Sequence, residues 1–424
     1  MRARLSLFLA GSLGLAACQG DAPPSSPAAA APATVQENLL THVPQSPLDA
    51  SQRGRLETIR TRASSAEVHV ARAARAPTRL LERGAAVRMT IAPGVQLVAT
   101  GERVQRRSAN DVSWAGPVAG GDGWVQMVVV DGAVTGTITL GRTQYSIEPL
   151  GNGLHAVSKI DQNGFPSEHP ADHPSGALAD LMNAGVQAAV SAEDGTVGIA
   201  ANTTINVMVV YTASAATAAG GNIASRIQLA VDETNQSYVN SGINITMNRV
   251  YTAQVSYSES GRSFSQHVSA LRGTTDGMMD IVHSWRNTYA ADVVVLVVND
   301  SEACGMAAAI KATASYAFAA AHYTCITGYY SFGHEVGHLQ GARHDRYVDG
   351  STTPYAYGHG FIPSSKNWRT IMAYGNNCSN CTRIQWWSNP LKTYPATGEV
   401  MGTTTYEDNA RVLNGTASTV AAFR

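Results

Sequence analysis

Between residues 333 and 345 the chain reads GHEVGHLQGARHD: three histidines and a glutamate in one short run, out of 12 histidines in 424 residues. No other stretch constrains the fold as strongly. On an α-helix, residues four apart share a face, so His334 and His338 stack one turn apart. Two imidazoles placed that way can each reach one zinc ion at about 2.0–2.1 Å. Glu335 is rotated by about 100° from His334. That puts it beside the metal rather than on it, where it can serve as general base toward a metal-held water. Gly341 suits the end of the helix and a chain reversal, because glycine accepts positive φ without a Cβ clash. His344 can then return as a third ligand. Three protein ligands leave one position open, the pattern of a catalytic rather than a structural zinc.

Taken whole, H-E-x-x-H-x-x-G-x-x-H-D resembles the extended zinc signature of the metzincin metalloproteases. The resemblance implies a methionine turn beneath the metal, and RTIMAYG offers Met372, 38 residues after His334. The segments INVMVVYT, TIMAY, CSNCTRIQWWSNP and DNARVLN are similar to the reprolysin-like group, and within it to the bacterial peptidyl-Asp metalloendopeptidase family. That likeness implies a zinc endopeptidase acting on proteins or peptides, with Asp345 as a structural carboxylate tying the zinc helix to the Met-turn region. It leaves two readings of Tyr374. In astacin- and serralysin-type metzincins a tyrosine at this spacing binds zinc and can swing to stabilise the oxyanion; reprolysins generally lack it, and Tyr374 is then a core aromatic. The family also implies cleavage on the amino side of aspartate. A site that takes in a carboxylate calls for a guanidinium, which grips it bidentately. Arg383, just past the Met-turn in a segment that walls the S1′ pocket of metzincins, is the candidate; the alternative is a solvated surface arginine. A rival class is a surface lipoprotein using this fold only as a binding module, but such a protein would be expected to have lost its base, and Glu335 is present.

The chain is long enough for two or three domains. Charged residues make up 14% and the net charge is −1, which excludes the basic face a nucleic-acid partner requires. At the N-terminus, MRARLSLFLAGSLGLAAC has two arginines and an apolar stretch too short to span a bilayer, the pattern of a signal peptide over 1–17. Leu15–Cys18 resembles a bacterial lipobox, implying cleavage before Cys18 and lipid on its thiol; an ordinary signal peptide cut near Ala17 is the alternative. The expectation is an exported precursor tethered to the envelope, whose mature domain is a released monomer. The remaining cysteines, Cys304, Cys325, Cys378 and Cys381, are even in number, as disulfides in an exported chain require. Of three possible pairings, Cys304–Cys325 with Cys378–Cys381 closes the shortest loops and is expected. A thioredoxin-like role for the C-S-N-C pair lacks the surrounding βαβ pattern.

Residues 18–55 begin with a run rich in Ala, Pro and Ser and are expected to be a disordered tether. Residues 56–160 are expected to form a β-rich propeptide domain, weakly helical at first and then built of short β-prone runs between glycine-containing turns. Residues 161–202 are read as a linker and activation region. From 203 to 424 strands alternate with helices. The expected fold is α/β: a metzincin catalytic domain with a mixed twisted sheet, a zinc helix and a Met-turn, behind a β-rich prodomain. A zinc protease made with its own proregion needs its open metal position blocked. Cys18 is the lone proregion cysteine and is expected to carry lipid, so another group must serve. FPSEHPADH, residues 165–173, offers Glu168, His169, Asp172 and His173. The alternative is a solvated polar linker.

Overall fold

The computed structural model describes residues 35–44, 47–170 and 202–424. The signal peptide expected at 1–17, Cys18, Asp172 and His173 lie outside them. In the N-terminal region ten strands form one sheet: β1 (Val35–His42), β2 (Ser65–Ala73), β3 (Ala86–Ala92), β4 (Val95–Thr100), β5 (Arg103–Ser108), β6 (Asp111–Pro117), β7 (Gly123–Val130), β8 (Ala133–Leu140), β9 (Thr143–Gly151) and β10 (Leu154–Ile160). Their order across the sheet is β4-β3-β1-β2-β10-β9-β8-β7-β6-β5. The turns explain the antiparallel run. Asp131-Gly132 joins β7 to β8 with φ of 48° and 81°, and Asn152-Gly153 joins β9 to β10 with φ of 52° and 74°. Two successive positive φ values make a turn whose twist matches that of the strands it joins.

Two expectations about this region need correction. The tether expected over 18–55 is ordered from Val35 onward, apart from residues 45 and 46, which are not described. β1 is inserted between β3, with which it runs parallel, and β2, with which it runs antiparallel. Leu39 and Leu40 are fully buried. The Ala/Pro-rich composition of residues 19–34 hid this strand, which is held by ladder hydrogen bonds on both sides. The weak helical character expected at the start of 56–160 belongs to α1 (Ala50–Arg60) alone. An Asp49–Gln52 capping box starts it, and β2 follows it.

One face of β7, β8 and β9 carries Gln126, Thr137, Gln144 and Glu148. All four are at most 5% exposed, because this polar face packs on the C-terminal region. Gln144 Nε2 donates to Tyr330 Oη at 2.6 Å, and Gln126 Nε2 donates to the Asp232 carbonyl at 3.1 Å. Burial raises the pKa of Glu148, but Arg226 and then Arg62 and Arg55 outweigh it and hold the carboxyl down at about 2. Arg226 comes from the C-terminal region and lies 2.7 Å from Glu148 Oε2.

That region contains β11 (Thr203–Tyr211), α2 (Ala213–Ala218), α3 (Ile223–Ser241), β12 (Ile245–Gln254), α4 (Phe264–Arg272), α5 (Ile281–Thr288), β13 (Val293–Val298), β14 (Gly305–Ala307), β15 (Phe318–His322), α6 (Ser331–Gln340) and α7 (Asn409–Val420). The sheet order is β12-β11-β13-β15-β14. The first four strands are parallel, and β14 closes the edge antiparallel to β15. Central β13 reads VVVLVV and is wholly buried, as a strand covered on both faces must be. This is the α/β architecture expected, behind a β-rich N-terminal region. Both disulfides, Cys304–Cys325 and Cys378–Cys381, pair as expected.

Candidate active site

Helix α6 ends where Gly341 takes φ 106°, and the chain turns back to bring in His344. His334 Nδ1 lies 2.9 Å from the Ile371 carbonyl and His338 Nδ1 lies 2.9 Å from the Ala342 carbonyl. A carbonyl can only accept, so each Nδ1 carries the hydrogen and each Nε2 presents a lone pair. The three Nε2 atoms of His334, His338 and His344 converge to 2.8–3.2 Å of one another. All three side chains are buried. Burial drives His334 and His344 well below the ordinary histidine range and His338 to about 4, so all three are neutral ligands at pH 7. Lone pairs at that separation in a buried site repel one another unless a cation lies between them. Three neutral imidazoles converging this way fit a zinc ion.

Glu335 is 1% exposed. Burial pushes its carboxyl up to about 8, with His338 and a backbone hydrogen bond from Ala307 acting in the opposite sense; a dication at the three histidines would lower it further. Met372 packs directly under α6. A Cβ at Gly337 would come within 2.7 Å of the Trp387 ring and 3.2 Å of Met372 Sδ, so the helix has room for no side chain there. Asp345 Oδ2 accepts from the Tyr374 backbone N–H at 2.8 Å, joining the residue after the third histidine to the turn that holds Met372. The Tyr374 ring lies obliquely against His344 with centroids 4.3 Å apart.

Beside the three histidines lies a second cluster. Arg383 is fully buried, which rules out the solvated surface alternative. Its Nη2 pairs with Glu168, and its Nη1 donates to the Tyr329 carbonyl at 3.0 Å. Arg369 Nη2 lies 3.4 Å from Glu168 and 3.1 Å from Tyr329 Oη. Tyr329 Oη donates to Glu168 at 2.7 Å. Burial raises the pKa of Glu168, but Arg383 and Arg369 outweigh it and keep the carboxyl below its ordinary range. The Arg383 backbone is clamped by Gln162, whose Oε1 accepts from its N–H at 2.6 Å and whose Nε2 donates to its carbonyl at 3.0 Å. Next to Glu168, His169 reaches the metal site. Its Nδ1 contacts Tyr374 Oη, and its Nε2 lies 3.4 Å from Glu335 Oε2. A nitrogen of His169 and the three other histidines' ligand atoms all lie within 4.8 Å of one another. Of the four groups expected in the linker, the described residues therefore bring Glu168 and His169 to the site. Sequence reasoning missed Arg369 and Tyr329. Arg369 stands three residues before Met372, and a charged residue in that buried turn was the available signal.

A five-stranded mixed sheet with a histidine-bearing helix and a methionine turn beneath it defines a zinc metalloendopeptidase. A profile of metallo-peptidase family M12, Reprolysin_5, matches residues 201–388. A peptidyl-Asp metalloendopeptidase of Stenotrophomonas maltophilia (strain K279a) is 47% identical over 298 residues, covering 69% of this chain and 68% of that one. Its namesake in Xanthomonas campestris pv. campestris is 46% identical over 292 residues, covering 69% and 67%. One from Pseudomonas fragi is 42% identical over 195 residues, covering 45% of this chain and all of the other. The chain belongs to the peptidyl-Asp metalloendopeptidase family of reprolysin-like zinc peptidases.

Proposed function

We propose that the chain is a proenzyme whose catalytic domain, residues 203–424, cleaves polypeptides on the amino side of aspartate. The observation that carries this reading is the convergence of Arg383, Arg369 and the Tyr329 hydroxyl on one carboxylate next to the three histidines. Two buried guanidiniums give a bound carboxylate charge-assisted hydrogen bonds that an amide or an alkyl group cannot match. The relatives' printed name points the same way.

His334, His338 and His344 are the residues that would hold zinc. Bound there, the metal supplies Lewis acidity and lowers the pKa of a water it holds to about 7. Glu335 takes the proton from the attacking water and delivers it to the leaving amine. Tyr374 directs its hydroxyl to the same side and donates to the developing oxyanion. Met372 supports the helix from below, and Asp345 fixes the Tyr374 backbone. Residues 56–160, extended by the strand at 35–42, act as propeptide. The precursor is exported as a lipoprotein through Cys18 and released as a monomer after cleavage near 184–202. No helix among the described residues is long and apolar enough to cross a membrane.

The test is a cleavage profile of the mature domain on peptides differing only at one position, Asp, Asn, Glu or Ala. Aspartate is expected to exceed asparagine by about 10²-fold or more in kcat/KM, because an uncharged partner leaves buried guanidiniums unmatched. Equal rates for Asp and Asn would overturn the specificity. Activity undiminished by a chelator would overturn the metal.

A further inference from the structure

The two subsites of the active site are filled at once by neighbouring residues of the prosegment. We propose that Pro166–His169 is a built-in inhibitor that occupies them in the wrong order for cleavage: Glu168 takes the carboxylate pocket and His169 supplies the fourth metal ligand. The inference rests on the zinc site and the acid pocket proposed above and adds how they are kept silent.

Glu168 meets Arg383, Arg369 and the Tyr329 hydroxyl at once. An incoming acidic side chain would have to displace it from both guanidiniums. His169 closes the open side of the histidine cluster. Its ring lies 4.9–5.4 Å from those of His334, His338 and His344, and it engages both Tyr374 and Glu335, the two groups that would otherwise face a substrate. The backbone is held as well. Cys304 N–H donates to the Ser167 carbonyl at 2.7 Å and Gly305 N–H to the Glu168 carbonyl at 3.2 Å. Phe165 stacks on Tyr329 with centroids 4.5 Å apart.

The order explains why this segment binds without being cut. Cleavage on the amino side of an acidic residue requires the carbonyl of the preceding residue at the metal. Here the group at the metal belongs to the residue that follows the acid. Ser167, which would have to present that carbonyl, has it engaged by the N–H of Cys304, the residue before β14. Consecutive donors 304 and 305 meet consecutive acceptors 167 and 168, so the segment runs in the same direction as β14. A peptide running the other way would place its carbonyl and its acid in the productive order.

The test uses the full-length precursor carrying Glu168→Ala, His169→Ala or both, with folding checked by circular dichroism. On a short quenched aspartyl peptide, each single variant is expected to be about tenfold or more active than the intact precursor, the size of one hydrogen bond to a charged group, and the double variant more active still. Self-cleavage of the variants counts as the same result. A second readout does not depend on turnover. In cobalt-substituted precursor, His169→Ala should change the visible d–d spectrum and speed metal loss to a chelator, whereas Glu168→Ala should leave the spectrum alone. A third uses no folded variant: the peptide Phe-Pro-Ser-Glu-His-Pro should inhibit the mature domain competitively without being cleaved, and its Glu/His-exchanged counterpart should inhibit at least about tenfold less. Silent variants with an unchanged cobalt spectrum, or equal inhibition by the two peptides, overturn the proposal. A mature domain without preference for aspartate overturns the pocket reading instead, and the cobalt experiment then judges His169 alone.

Discussion

The metal centre and the carboxylate pocket are neighbours in space and opposites in construction. The three histidines and Glu335 occur within residues 334–344. The pocket joins Tyr329, Arg369 and Arg383, and the group it holds, Glu168, is 215 residues away from Arg383. One site is assembled by a single helical turn and a glycine reversal. The other exists only after the chain beyond the Met-turn and the segment around Gln162–His169 have both folded against α6. The lesson is that helical periodicity carries chemistry across four residues, whereas a charge pocket is built by topology. The two should respond differently to substitution.

The largest effect separates them most clearly. Glu335→Gln keeps the three imidazoles but removes the proton acceptor, so activity on every substrate should fall by about 10²–10⁴ while zinc content stays unchanged. The ratio of Asp to Asn cleavage in the residual activity should be that of the parent. A shift in that ratio would show that the two sites are not separable.

Arg383→Ala should do the converse. Truncating one member of a buried hydrogen-bonded charge pair costs about 2–5 kcal/mol, so the Asp over Asn preference should drop by at least about tenfold. Zinc content and cleavage of the Asn peptide should change far less. Arg383→Lys should recover only part of the loss, since an ammonium cannot form the guanidinium's paired contacts. An unaltered cleavage profile in Arg383→Ala would move the pocket elsewhere and dissolve the comparison.

The smallest effect concerns packing alone. Gly337→Ala would place a Cβ within 2.7 Å of the Trp387 ring. Overpacking of this kind costs about 1–3 kcal/mol. We expect a lower denaturant midpoint and weaker zinc retention, with the Asp to Asn ratio untouched. A variant as stable as the parent would mean that the Met-turn yields around α6, and that the metal side is softer than its geometry suggests.

Much of the scaffold was legible for local reasons. The Asp-Gly and Asn-Gly turns announce their hairpins because few other residue pairs accept two positive φ values in succession. VVVLVV at 293–298 reads as a strand covered on both faces. The boundary of α3 at Gly242 is written in the residue itself, which takes φ 69°. Other features misled. β1 lies beside Ala/Pro-rich sequence and is stabilised by partners 29 to 51 residues further on. Gln126, Thr137, Gln144 and Glu148 alternate like a solvent face and are buried at an interface. Alternation reports which side of a strand a residue is on, not what covers that side.

The sequence by itself determined the histidine triad, the neighbouring Glu335, the reversal at Gly341 and the alternation of strands and helices after residue 203. Each follows from backbone geometry over a few residues. Only the tertiary structure decided that Arg369 and Tyr329 join Arg383 around one carboxylate, that the polar face of the N-terminal sheet is buried, and that Glu168 and His169 enter the cleft. Those outcomes depend on contacts between segments far apart in the chain, and no local period in the residues encodes which distant charge a buried guanidinium will meet.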